Sequence, residues 1–165
     1  MDFQEQAGRQ GQELTLSLRA AKPADLKALT SLAIRSKAHW GYDQDFMNAC
    51  EAELVVPPSA LEDEIIRLAE ENGVLAGFYR LIIDDDIAEL EAMFVEPDRI
   101  GKGVGAVLWR DMLDRAHDAG ARKLVCQSDP FAEGFYKAMG MVRTGERASD
   151  SVRGRMLPVL EMGMG

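Results

Sequence analysis

Cysteine, histidine and aromatic residues are scarce in this chain, which has two Cys, two His and an aromatic fraction of 7%. Cys50 and Cys126 lie far apart, and neither has a His or a second Cys at metal-ligand spacing, so no metal site and no disulfide framework is legible. A reducing, cytoplasmic setting is the simplest expectation. No stretch approaches the ~18 apolar residues of a membrane span, and residues 1–12 are polar, without the apolar centre of a secretion signal. They are expected to form a loose tail ahead of one domain, 13–165. Bases are also under-represented, 19 against 28 acids for a net charge of −9. Like charge over the whole surface argues against nucleic acid or a membrane as partner, and an anionic ligand needs a local site. What is present is 165 residues, 47% of them hydrophobic, enough for a single compact domain that buries roughly two thirds of its unfolded surface.

Leu14, Leu16 and Leu18 alternate with polar residues, which predicts a half-buried strand. Pro23 suits a helix start, and Leu26, Leu29, Leu32 and Ala33 recur at helical spacing until the pattern breaks near Ser36. A second helix is expected from near Asp43, with Pro57 and Pro58 ending the helical region. Residues 65–69, 74–83 and 87–95 read as strands joined by Asn72-Gly73 and by the acidic turn at 84–86, so they form antiparallel hairpins. A helix over 103–119, capped by Gly120, leads to a strand over 123–127 and a short helix over 132–139; residues 141–142 and 155–162 close the sheet. The strand–helix–strand unit demands one parallel crossover, so the expected fold is α+β, a mixed but mostly antiparallel sheet flanked by helices.

Gly101, Gly103 and Gly105 stand between an apolar strand and the longest helix, where backbone amides converge without Cβ obstruction and the helix dipole favours an anion. Arg99 and Lys102 add mobile positive charge. A dinucleotide fingerprint fits poorly, because residues 96–100 separate the loop from its strand and only about forty residues follow the next strand, too few for a parallel repeat of units. A P-loop is excluded by the missing Gly-Lys-Ser/Thr.

The run Met93-Phe94-Val95-Glu96-Pro97, followed by Ile100 to Gly105, resembles the strand, proline link and Gly-x-Gly helix start of the GCN5-related N-acetyltransferase (GNAT) superfamily. Ala132-Glu133-Gly134-Phe135-Tyr136-Lys137-Ala138-Met139-Gly140 is similar to its second motif. Ile100 departs from the family's Arg or Gln. The resemblance implies the acyl-CoA N-acyltransferase fold and acetyl-CoA as co-substrate. In that case the backbone of Met93, Phe94 and Val95 pairs with the pantetheine arm, and the amides of Gly101, Lys102, Gly103, Val104, Gly105 and Ala106 bind the diphosphate. Asp129 stands where many members carry Asn, Ala132 and Phe135 line the thioester end, and a homodimer is compatible with the family.

Acetyl transfer to an amine needs a neutral nucleophile, a polarised carbonyl and a proton for the thiolate. A primary amine titrates near ~10, so a carboxylate assists its deprotonation. By the two-residue period Glu89, Glu91, Met93 and Val95 share one strand face. The resemblance favours Glu91 as base, with Glu89 in reserve, and Tyr136 as the acid that protonates the thiolate. It also places the acceptor between the first two helices, where His39, Trp40 and Tyr42 cluster. Cys126 reads as an inert buried thiol. The expected activity is acetyl transfer from acetyl-CoA to a primary amine of a small-molecule acceptor; the alternative is a non-catalytic acyl-CoA-binding or sensing domain.

Overall fold

A computed structural model describes residues 15–165; the expected tail over 1–12 and Leu14 of the first strand lie outside the described residues. Seven strands form one sheet: β1 (Leu16–Ala20), β2 (Ile65–Glu71), β3 (Val74–Asp84), β4 (Ile87–Val95), β5 (Lys123–Gln127), β6 (Val142–Ala148) and β7 (Met156–Gly163). Their order across the sheet is β1-β2-β3-β4-β5-β7-β6, antiparallel throughout except for the parallel β4–β5 pair. This is the mixed sheet that the crossover required. The helices are α1 (Leu26–Ala38), α2 (Gln44–Leu54), α3 (Ala60–Asp63), α4 (Val104–Asp118) and α5 (Glu133–Ala138), with short 3-10 turns at Pro23–Asp25, Pro97–Arg99 and Pro130–Ala132.

Each face of the sheet has its own core. On one, Tyr79, Leu81, Ala88, Leu90 and Leu124 pack under Val104, Leu108 and Met112 of α4 and under Tyr136 of α5. On the other, Ile66, Leu68 and Phe78 pack under Leu29, Leu32 and Ala33 of α1 and Met47, Cys50 and Leu54 of α2. The stripe read from Leu26 to Ala33 is therefore the buried face of α1. The start of α2 is fixed by the Asp43 side chain, which accepts from the Phe46 N–H at 2.8 Å. The β2–β3 hairpin turns through Asn72 and Gly73, both at positive φ (52° and 79°), as a tight two-residue turn requires.

Three sequence expectations change. Pro57 and Pro58 end α2, but one further turn, α3, follows them. The strand expected over 141–142 extends to Ala148: β6 is an exposed edge strand paired, among the described residues, only with β7, so it carries no apolar alternation to read. In β4 the pairing with β3 slips between Leu90 and Ala92, leaving Glu91 as an unpaired bulge residue. The bulge reverses the alternation. Ala88 and Leu90 before it, and Met93 and Val95 after it, all pack toward α4, so Glu89 does not share a face with Met93 and Val95.

Candidate active site

The parallel pairing of β4 with β5 runs only from Ile87 against Lys123 to Leu90 against Cys126. Beyond Leu90 the strands part, and the stretch from the Glu91 bulge to Val95 has no strand on its β5 side among the described residues. The gap opens a cleft of about 530 Å³ walled by β4, the end of β5, α1 and α5. Glu89, Glu91, Met93, Phe94, Val95, Gly105, Asp129, Ala132, Phe135, Tyr136 and Trp40 all line it. Most of the residues singled out in the sequence thus converge on one concavity.

The glycine turn stands at one end. The first amide bond recorded at the start of α4 runs from Val107 N–H to the Gly103 carbonyl at 3.2 Å. The N–H groups of Gly103, Val104, Gly105 and Ala106 are the donors that a helix start leaves without an intrahelical partner, and they make no turn or loop backbone bond among the described residues. Gly103 holds φ 89°, a conformation that L side chains rarely adopt. Val104 is fully buried under the helix. A Cβ on Gly105 would stand 3.2 Å from Cε1 of Phe135, which shows how closely α4 and α5 approach across the cleft. Ile100 lines the cleft where a polar side chain was expected from the resemblance. Arg99 is not mobile charge: its guanidinium is ion-paired to Glu71 of β2. Lys102 makes no ion pair among the described residues.

In the middle of the cleft, Glu91 faces Glu89. The cleft walls strip water from the Glu91 carboxyl and Glu89 adds like charge, together outweighing the pull of Arg80 and pushing it up to about 6. Tyr136 packs against Trp109 and Phe135 at centroid distances of 6.0 and 5.3 Å. Its hydroxyl has no hydrogen-bond partner among the described residues, and burial raises its phenol well above the ordinary range, so it stays protonated. Cys126, beneath, is a buried thiol pushed up to about 12 by burial.

At the other end Asp129 is the centre of a charged cluster. It accepts from Lys37 Nζ (3.2 Å), Arg155 Nη2 (3.1 Å), the Tyr42 hydroxyl (2.9 Å) and the Phe131 N–H (2.9 Å). Burial works against the Asp129 charge, but these bonds outweigh it and hold its carboxyl below the usual range. Lys37 and Arg155 also lie over the stacked Tyr42 and Phe46 rings. Tyr42 therefore spends its hydroxyl on this cluster and does not line the cleft, and burial beside Asp129 pushes its phenol up to about 12. His39 is exposed and also away from the lining, edge-on to Trp40 at 5.5 Å. Trp40 alone of the aromatic trio reaches the cleft, stacked on Phe131 at 5.3 Å.

Sequence reasoning missed Lys37, Arg80 and Arg155. Lys37 carried a signal: it stands four residues after Ala33 on the buried stripe of α1, where a lysine needs a partner. Arg80, held by two 2.7 Å bonds to Glu64, is a lone charge inside the apolar run of β3. Arg155 follows a polar loop and carries no such mark.

The family model for the acetyltransferase (GNAT) domain matches residues 43–153. No curated protein sequence matches the chain. Among solved structures, a GCN5-related N-acetyltransferase from Rhodopseudomonas palustris is similar with a TM-score of 0.74 and 21% identity over 90% of this chain and 95% of that one. The PaiA N-acetyltransferase of Thermoplasma acidophilum, in complex with coenzyme A, is similar with a TM-score of 0.72 and 19% identity over 90% and 99%. A GNAT family acetyltransferase from Brucella melitensis, in complex with acetyl-CoA, gives 0.64 and 20% over 91% and 88%. With two thirds of its length matched by the domain model and its sheet parted where the cleft opens, the chain belongs to the GNAT acetyltransferase family.

Proposed function

We propose that the protein transfers the acetyl group of acetyl-CoA to a primary amine by direct attack in a ternary complex. The observation that carries this reading is the parting of β4 from β5 beyond Leu90, continuous with the amides at the start of α4 that are unpaired among the described residues. The donor set fits the cofactor: a free strand edge suits the amide-bearing pantetheine arm, and a helix start with three glycines in its turn suits a diphosphate. Coenzyme complexes among structures of the same fold support the assignment.

Bound acetyl-CoA supplies an activated acyl carbon and a thiolate leaving group. The chain's residues handle orientation and protons. Met93, Phe94 and Val95 offer backbone groups to the pantetheine arm, and an amide there can polarise the thioester carbonyl. Glu91, ionised above about pH 6, takes the proton of the attacking amine directly or through water. Tyr136, kept protonated by burial and with no acceptor for its hydroxyl among the described residues, gives a proton to the thiolate. Ala132 and Phe135 line the thioester end and exclude water.

Two measurements test the reading. Calorimetry should show binding of CoA and acetyl-CoA but not NAD, and thiol release from acetyl-CoA should require an amine. Tyr136→Phe should lower kcat by about tenfold or more while the CoA Kd stays unchanged. Coenzyme binding with no thiol release under any amine would assign the chain to acyl-CoA sensing, and unchanged turnover in Tyr136→Phe would remove the acid role.

A further inference from the structure

The charges buried at the α1 end of the cleft do not balance. Lys37 of α1 and Arg155 of the β6–β7 connection both line the cleft, with side chains only 9% and 13% exposed, and both ion-pair to the same carboxylate, Asp129. Lys37 Nζ gives it one bond of 3.2 Å, although an ammonium carries further donors. Arg155 uses Nη2 alone, at 3.1 Å to Asp129 and 2.7 Å to the Tyr42 hydroxyl. Its Nε and Nη1 make no hydrogen bond among the described residues and are not sealed from solvent. Glu53, Arg147 and Asp150 also line the cleft, but all three are exposed and none is ion-paired among the described residues, so water screens them.

Neighbouring rings take up part of the excess. Lys37 Nζ lies 5.6 and 5.8 Å from the centroids of Tyr42 and Phe46, and the Arg155 guanidinium carbon 5.2 and 4.8 Å from the same rings. Ring faces stabilise a cation without supplying a counter-charge, and a desolvated cation that lacks one is costly. The middle of the cleft has the opposite sign. Glu89 and Glu91 of β4 line it and make no ion pair among the described residues, while Arg80 is held by Glu64 through two 2.7 Å bonds. Positive at one end and negative in the middle, the cleft is complementary to a molecule that carries both signs.

We propose that Lys37 and Arg155 form an anion subsite that takes a carboxylate of the acceptor, so that the acceptor is an amino acid. Its carboxylate meets the Lys37 ammonium and the Nε and Nη1 hydrogens of Arg155, and its amine stands at Glu89 and Glu91. The inference rests on the acetyl-transfer reading above and names the substrate class for that site. A carboxylate brings the one negative charge that Lys37, Arg155 and Asp129 together lack, in charge-assisted hydrogen bonds, whereas a phosphate ester dianion overshoots it beside Asp129. An amine without an acid group would displace water from the two cations and return nothing to them.

The test sets acids against their own amides. L-Phenylalanine, L-leucine, β-alanine and 4-aminobutyrate vary the side chain and the span from amine to carboxylate; each is paired with its amide, and O-phosphoethanolamine supplies the phosphate. Neutralising the acid lowers the basicity of its amine, so intrinsic reactivity runs toward the amide. With acetyl-CoA and the intact protein, thiol release should give at least one acid a kcat/KM about tenfold or more above its amide and above O-phosphoethanolamine. Arg155→Met removes one cation and leaves Lys37 paired with Asp129. It should cut that acid-to-amide ratio about tenfold, through KM rather than kcat, and Arg155→Lys should restore part of it; thermal melts verify that both variants fold. Amides matching their acids throughout, or a ratio unmoved in a folded Arg155→Met, overturn the subsite. O-Phosphoethanolamine outrunning every acid overturns the carboxylate. No turnover of any panel member while calorimetry shows acetyl-CoA bound overturns the amino-acid acceptor but leaves donor binding standing. Absence of acetyl-CoA binding overturns the transfer reading, and this inference with it.

Discussion

Glu91 works as a base only when ionised, and the cleft raises its carboxyl from the ordinary ~4.3 to about 6. Above that pH the base is ready; below it, each unit of acidity removes another tenfold of the competent form. The pH profile of kcat/KM should therefore steepen by one unit of slope below about pH 6. Glu91→Gln should abolish that steepening and lower the plateau by about a hundredfold, within the range of a lost general base. The residue types behind this chemistry were legible in the sequence: a carboxylate pair on the strand before the glycine turn, and a Tyr after a Phe in the second motif. What makes them act was not. The occupied guanidinium of Arg80 depends on Glu64, sixteen residues away in sequence, and the burial of Tyr136 on Trp109 of another helix, and the pattern of a single element does not hold them.

Among the elements, β3, β4 and α4 carry the tightest constraint. At Gly77, β3 passes so close to its neighbours that an added Cβ would meet the Phe94 carbonyl oxygen at 2.8 Å and Leu108 Cδ1 at 2.9 Å. Gly77→Ala should cost about 2 kcal/mol in denaturant unfolding, because backbone cannot yield as a side chain can. Gly103→Val separates binding from stability differently. No atom crowds its Cβ, but φ 89° costs a branched residue about 1–2 kcal/mol, and relaxation of the turn should weaken CoA by tenfold or more in calorimetry. Strand and helix boundaries were readable wherever one face is buried, as in α1 and α4. They failed in β6, which is exposed along its whole length, and at the β4 bulge, which leaves no mark in a hydrophobic pattern and yet decides which way Glu89 and Glu91 turn.

For the whole molecule, Asp129 is the fastening point. One carboxylate holds the end of α1 through Lys37, the entry to α2 through Tyr42 and the β6–β7 connection through Arg155. Asp129→Asn leaves two largely buried cations without a counter-charge and should cost about 3 kcal/mol. The sign with pH follows from its lowered carboxyl: the contribution is complete above the unfolded value of ~3.9 and is lost as pH falls through the lower folded value. The wild-type protein should lose more stability than Asp129→Asn between pH 5 and about pH 2, as followed by urea unfolding at each pH. An Asp here sets one negative charge between two cations, Lys37 and Arg155.

The parted strands have a mechanical consequence as well. Strands β1 to β4 and the β5–β7–β6 trio meet edge to edge only from Ile87 to Leu90, like two boards hinged along a short part of their common side. A carrier threaded between them would act as the missing stitch, so rigidity would arrive with the cargo. Deuterium uptake should slow on both sides of the seam when CoA is added, along the β4 end and the β5 end together.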